Sequence, residues 1–315
     1  DLPSDPLSSL RAVLIAGPTA SGKSALALAL AKQFNGSVIN ADSMQVYADM
    51  QVLTARPSEA EMQGIPHHLY GHVPASQAYN TGQWVKDVLQ AIATVEQAGR
   101  LPILVGGTGL YFRALTQGLA NIPAIPDDLR LSLRQRLADE GSEIMHGELS
   151  VFDPEAFQRL QPTDPQRILR AHEVFQATGK SLTAWQKDPI TPPLTGNLAK
   201  ILLMPERAWL YERCDRRFEQ MLENGALEEV DHMQKLALGR DMPACKALGL
   251  SEMIGLRAGR LDYERAVEMA QQRTRRYAKR QMTWFRNQMI SWESFNEQEY
   301  YKNHQKIFSY IADMA

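Results

Sequence analysis

Gly17 is followed by four residues and then by Gly22, Lys23 and Ser24, between an apolar run at 12–16 and an alanine–leucine repeat at 25–31. Strand, glycine-bounded loop and helix in that order make a phosphate cradle. The glycines let backbone N–H groups curl around an anionic oxygen, and the helix N-terminus adds its positive dipole end. The loop comprises Gly17, Pro18, Thr19, Ala20, Ser21, Gly22, Lys23 and Ser24. Lys23 is expected to reach the outer phosphates, and the Ser24 hydroxyl to ligate a magnesium ion. The loop requires a phosphate-bearing ligand and leaves open whether that is a nucleotide or a pyrophosphate ester. A second Gly179, Lys180, Ser181 lacks the leading glycine, because Val174 stands there. It reads as a helix C-cap followed by a new helix start.

Further short apolar runs without alternation lie at 37–40, 103–105 and 200–204, with helix-length segments at 24–34, 81–97 and 208–222. Runs of that kind suit strands buried on both faces of a parallel sheet. The predicted fold is therefore α/β, a parallel sheet core of the phosphate-loop NTPase type flanked by helices. The pattern stops between about 121 and 197, where Arg, Gln, Glu and Leu recur with helical periodicity between proline-rich borders. The expected division is a discontinuous core of 1–120 and 198–295, an inserted all-helical domain of 121–197 and a helical tail of 296–315. After 204 the sequence reads as helix almost throughout.

With 315 residues and a net charge of −2, the chain is no uniformly basic nucleic-acid binder, although local basic patches remain possible. Two cysteines without a CxxC pair predict neither a disulfide framework nor a zinc site, and fit a cytoplasmic protein. Residues 1–10 lack the order of a secretory leader, and no apolar run predicts a membrane span. No feature demands a dimer, so a monomer is expected.

Four groups of residues bear on chemistry. Asp42 ends the second apolar run, where a carboxylate can take a proton or a metal, or simply cap the next turn. Ser43 and Gln45 after it can hydrogen-bond a base edge. Gly106, Gly107 and Thr108 follow the third run, where two glycines permit close approach of a ligand and Thr108 offers a hydroxyl. No Asp ends that run, which weakens a nucleotide-hydrolase or kinase reading. Arg213 and Arg217 are four apart and could face a departing diphosphate, or could be a charged face paired with Glu212, Asp215 and Glu219. Residues 273–286 carry six basic and no acidic side chains, interleaved with Tyr277, Trp284 and Phe285. That suits an RNA-facing surface, or a solvated helix face. Pro66, His67 and His68 lack partners at metal-ligand spacing and read as structural.

In order and spacing, residues 17–24, 42–47, 66–69, 106–111, 164–170 and 279–286 together resemble the tRNA dimethylallyltransferase (isopentenyltransferase) family. The resemblance implies transfer of a dimethylallyl group from dimethylallyl diphosphate to the exocyclic amine of the adenosine 3′ of the anticodon. It implies that the phosphate loop holds the diphosphate with Mg2+, that Asp42 is the general base, and that Lys23, Thr108 and Arg217 are catalytic. It further implies contacts to the tRNA anticodon stem-loop from Asp42, Ser43, Met44, Gln45 and Thr108, and from Arg130, Gln166, Arg167, Ile168, Leu169 and Arg170. Lys246, Lys279, Arg280, Gln281, Trp284 and Arg286 complete that set. Ser24 stands where many members carry Thr, and 246–251 departs from the common pattern. Without a zinc-finger extension, the resemblance is to the bacterial type. The rival with the same core, a transferase acting on free adenine nucleotides, would need neither the helical insertion nor the basic stretch.

Overall fold

The computed structural model describes residues 9–296 and 304–314, so most of the 1–10 leader reading lies outside the described residues. Strands are β1 (Leu10–Ala16), β2 (Gly36–Asn40), β3 (His67–His68), β4 (Leu101–Gly106), β5 (Asn197–Leu203) and β6 (Glu293–Phe295). They form one parallel sheet in the order β3-β2-β4-β1-β5-β6. Leu14, Ile39, Leu104 and Leu202 point to one face and Val13, Val38, Ile103 and Ile201 to the other, all buried. Covering both faces explains why these runs do not alternate.

Helices α1 (Lys23–Gln33), α2 (Glu59–Met62), α3 (Thr81–Gln97) and α4 (Gly109–Gln117) fall between the first strands. Next come α5 (Asp127–Glu140), α6 (Ser142–Phe152), α7 (Pro154–Arg159), α8 (Pro165–Thr178) and α9 (Leu182–Lys187). After β5 the chain forms α10 (Arg207–Glu223), α11 (Ala226–Lys235), α12 (Leu250–Arg257), α13 (Tyr263–Gln288) and α14 (His304–Met314). α1 is apolar nearly all round because it buries Leu26, Ala27, Leu30 and Ala31 against the sheet. α3 starts with an Asn80–Gln83 capping box and lays Trp84, Val88, Ile92 and Val95 on the opposite face. As the spacing predicts, Gly179 ends α8 at φ 71° and Ser181 caps α9.

The chain divides into two compact units, Gln117–Pro192 and the remainder. The first closes around its own core of Leu133, Met145, Leu149, Ala156, Ile168 and Ala171. Residues 193–196 stay with the sheet unit because Leu194 N–H donates to Leu115 O at 3.0 Å. β3 and β6 are too short to leave a hydrophobic pattern, and the sequence reading misses both. α14 is more than a tail: Ile307 and Ile311 are buried beside Val13 and Ile201. Among the described residues no helix is long and apolar enough to cross a membrane.

β2 and β4 leave the sheet in contact, and Gly106 makes that possible. A Cβ there would stand 2.1 Å from the Ala41 carbonyl carbon and oxygen, backbone atoms that cannot rotate away. We expect Gly106→Ala to lower the unfolding free energy by about 3 kcal/mol, the upper range for overpacking. A melting temperature within a degree of the parent's would refute that.

Candidate active site

Three loops converge at the carboxyl ends of β1, β2 and β4, where open α/β sheets bind ligands. After β1, Ala20 (φ 62°) and Gly22 (φ 86°) are both left-handed, curling the backbone into a nest ahead of α1. No side chain caps α1 at Gly22, so a side-chain cap does not occupy its first N–H groups. Lys23 Nζ folds back onto Pro18 O at 3.1 Å. The Ser21 hydroxyl is buried without a hydrogen-bond partner among the described residues. A cavity of about 530 Å³ opens here, lined among others by Ser21, Lys23, Ser24, His67, Tyr70, Arg213 and Arg217.

The acidic neighbours of the two candidate arginines are engaged elsewhere. Asp215 takes both its bonds from Arg275 at 2.6 and 2.7 Å, Glu212 pairs with Arg216, and Gln271 reaches Glu219. Arg213 Nε instead donates to Ala20 O at 2.9 Å, its guanidinium 4.5 Å over Trp209. Arg217 donates to the Thr19 hydroxyl. Desolvation pulls the Arg217 guanidinium below its usual range, while Cys214 and the negative charge of Asp42 act in the opposite sense. A desolvated cation facing a phosphate nest is suited to receive an anion.

Asp42 is fixed by a residue the sequence reading passes over. Asn40, fully buried, accepts from Asp42 N–H at 2.9 Å and donates to Asp42 O at 3.0 Å and Leu69 O at 3.1 Å. Asp42 Oδ1 in turn accepts from Met44 N at 2.8 Å and Gln45 N at 3.2 Å, so the carboxylate does cap the turn. Its Oδ2 has no hydrogen bond among the described residues. Burial raises the phenols of Tyr70, Tyr111 and Tyr277, and the charge of Asp42 raises them further. Three neutral hydroxyls thus lie within the field of one carboxylate.

Thr108 Oγ1 accepts from Ser43 N at 2.9 Å, which ties the β4 turn to the residue after Asp42 and leaves the hydroxyl proton to donate. The glycines before it serve close packing of the protein on itself, where the sequence suggests approach of a ligand. Besides Gly106 against Ala41, a Cβ on Gly107 would meet Gln281 Nε2 at 2.5 Å, and one on Gly109 the Trp284 ring at 2.1 Å.

Gln45 donates to Thr54 O and Ala55 O at 3.0 and 2.9 Å. That stretch is held from α11, where Glu229 accepts from Gln51, Val52 and Leu53 N–H at 2.5, 2.9 and 2.7 Å. Glu229→Ala leaves three donors without their acceptor and should cost about 2 kcal/mol in urea unfolding. An unchanged midpoint would show that water replaces the carboxylate.

Residues 45–288 match the family model described as IPP transferase. The chain belongs to that family. It is 52% identical over 305 residues to the tRNA dimethylallyltransferase of Parvibaculum lavamentivorans, covering 97% of each chain. It is 53% identical over 279 residues to that of Agrobacterium fabrum, covering 88% of this chain and 94% of the relative. Among solved structures it is similar to the full-length tRNA isopentenylpyrophosphate transferase of Bacillus halodurans, with TM-score 0.68, 34% identity and 96% and 97% of the two chains covered. A eukaryotic dimethylallyltransferase described as acting on tRNA gives TM-score 0.82 at 29% identity, over 95% of this chain and 78% of that one.

In this chain the basic stretch divides by helical face. Arg273 and Arg275 on α13 are held by Glu252 and Asp215. Lys279, Arg280 and Arg286 are exposed, and with half-buried Trp284 the first two line an open recess of about 500 Å³. Lys246 is exposed on its 3-10 turn, while Met44 packs partly into the core. In the helical unit Gln166 and Arg167 are exposed, Arg130 lies 3.9 Å from Asp127, and Arg170 lies 3.5 Å from Glu173. Two of the resemblance's RNA contacts need correcting. Ile168 is wholly buried in the helical unit's core with Leu169 packed against it, because a contiguous helical stretch cannot present every residue outward. Gln281 is also buried, both ends of its amide bonded within the protein.

Proposed function

We propose that this chain transfers a dimethylallyl group from dimethylallyl diphosphate to the exocyclic amine of the adenosine 3′-adjacent to the anticodon in tRNA, releasing diphosphate. One observation carries the reading: Arg217 donates to Thr19 of the phosphate loop and lines the cavity that loop opens onto, while Asp42 follows β2 at the same carboxyl end of the parallel sheet. An anion-stabilising group and a candidate base therefore stand at the same end of one sheet. The loop amides, Lys23 and Arg217 hold the diphosphate and stabilise charge as the allylic C–O bond breaks, which is electrostatic catalysis aimed at the leaving group. The amine nitrogen bonds to the allylic carbon, and its proton passes to Asp42 Oδ2. Thr108 and the Ser43–Gln45 turn orient the base. The adenosine must leave its stack to reach them.

The residues present fit a magnesium ion held jointly with the diphosphate. Ser24 offers one hydroxyl at the head of α1, and no group of three His, Cys, Asp or Glu gathers to cage an ion among the described residues. Magnesium keeps waters and phosphate oxygens as ligands and needs few from the protein. When bound it would neutralise diphosphate charge. In the sheet unit, exposed Lys279, Arg280 and Arg286 offer cationic side chains to the anticodon stem-loop, and in the helical unit exposed Gln166 and Arg167 offer polar and cationic ones. The enzyme works as a cytoplasmic monomer, where Cys214 and Cys245 remain thiols. The test supplies labelled dimethylallyl diphosphate and magnesium with an anticodon stem-loop RNA or with AMP. Label in the RNA supports the reading, and label in AMP alone moves the activity to free nucleotides.

A further inference from the structure

Gln281 sits on the inward face of α13, one residue before Met282 and four before Phe285, and all three are buried. Its amide spans two loops that lie side by side. Oε1 accepts from Thr19 N–H at 2.9 Å, and Nε2 donates to Gly107 O at 2.9 Å. The partners fix the amide's orientation, since a backbone N–H only donates and a carbonyl only accepts. Gly107 is matched to it, because any larger residue would place a Cβ 2.5 Å from Nε2.

Each anchor is one step from a reacting group. On one side, Thr19 receives Arg217 through its hydroxyl. On the other, Gly107 precedes Thr108, whose hydroxyl holds Ser43 N–H beside Asp42. Without the bridge, the partly buried N–H of Thr19 and the buried carbonyl of Gly107 would each lose a partner, and the two loops could shift independently. Displacements of about 1 Å can cost about 100-fold in rate when reacting groups must meet.

We propose that Gln281 is a positioning residue for the transfer reaction. It fixes the distance between the loop that holds the diphosphate and the turn that carries the base, and it does not read RNA. The inference rests on the transfer reaction proposed above.

The experiment compares the full chain with Gln281→Met and Gln281→Glu, using labelled dimethylallyl diphosphate, magnesium and the stem-loop RNA across pH. Methionine keeps the volume and removes both bonds. It should lower kcat about 10- to 100-fold, with KM for RNA within about twofold because Lys279, Arg280 and Arg286 are untouched. Glutamate can still accept from Thr19, but when ionised it sets a carboxylate oxygen against the Gly107 carbonyl. Its rate relative to the parent should therefore recover as pH falls from about 8 to about 6 and the buried carboxyl regains a proton. That recovery also serves as the test if the methionine variant does not fold. A kcat within twofold of the parent for Gln281→Met, or a pH-independent ratio for Gln281→Glu, overturns the proposal. A raised RNA KM at unchanged kcat overturns it too, and makes Gln281 an RNA contact. Absence of transfer by the parent chain would strike the function itself and is distinguishable from all of these.

Discussion

Asp42→Asn should reduce dimethylallyl transfer by about 10²- to 10⁴-fold, the usual contribution of a positioned base, while stem-loop binding and thermal stability hold. The expectation is sharp because the structural and chemical duties of this side chain fall on different oxygens. Oδ1 accepts from Met44 N and Gln45 N, and an asparagine carbonyl accepts those same bonds. Asn40 grips the backbone of residue 42, which the substitution leaves intact. What is lost is the capacity of the second atom to take a proton. Single-turnover transfer of label, with RNA retention measured on filters, separates the two duties. Transfer within fivefold of the parent would remove Asp42 from the chemistry and leave it a turn cap.

Arg217→Ala should lower transfer by about 10²- to 10³-fold, the range seen when one group stabilising a transition-state charge is removed. Its effect on folding should be small or favourable. The guanidinium is desolvated, and its hydrogen bond goes to a neutral hydroxyl, Thr19. The nearby carboxylates of Asp215 and Glu212 are bonded to Arg275 and Arg216, so truncation leaves no carboxylate without its ion-pair partner. Removing a partly desolvated cation relieves some desolvation cost. Activity falling while the melting temperature holds or rises is the signature of a group kept for function. Arg217→Lys keeps the charge without the planar fork and should recover only part of the rate. Parallel loss of stability and activity would mean instead that the arginine holds α10 to the loop.

Much of this site is readable from local pattern. The phosphate loop announces itself by spacing, and the four longer strands by apolar runs that do not alternate. Asp42 is marked by standing at a strand end. What escapes sequence reading is what tertiary contact creates. Glu229 caps a loop far away in the chain, and Asn40 looks like an ordinary strand terminus until its amide is seen gripping Asp42. Gln281 lies inside a basic, aromatic stretch whose composition suggests RNA, yet helical geometry turns it inward. Ile168 is misassigned for the same reason. The His67–His68 strand has only two residues and exists through pairing with Val38 and Ile39, which no local propensity encodes. The glycines of 106–109 are legible as necessary, but only the structure shows that Ala41, Gln281 and Trp284 occupy the room they leave.

The position of β1 has a consequence for how the chain comes off the ribosome. β1 precedes the other five strands in the chain yet lies in the middle of the sheet, with Val13 paired to Ile103 on one side and to Ala199 on the other. Its apolar faces cannot be enclosed until both partners have emerged, and α14, which buries Ile307 and Ile311 beside it, follows later than either. The helical unit is one continuous stretch with local contacts and can fold while synthesis continues. The sheet unit is obliged to wait, its central strand exposed in the meantime, so nascent-chain chaperones have most to protect around β1.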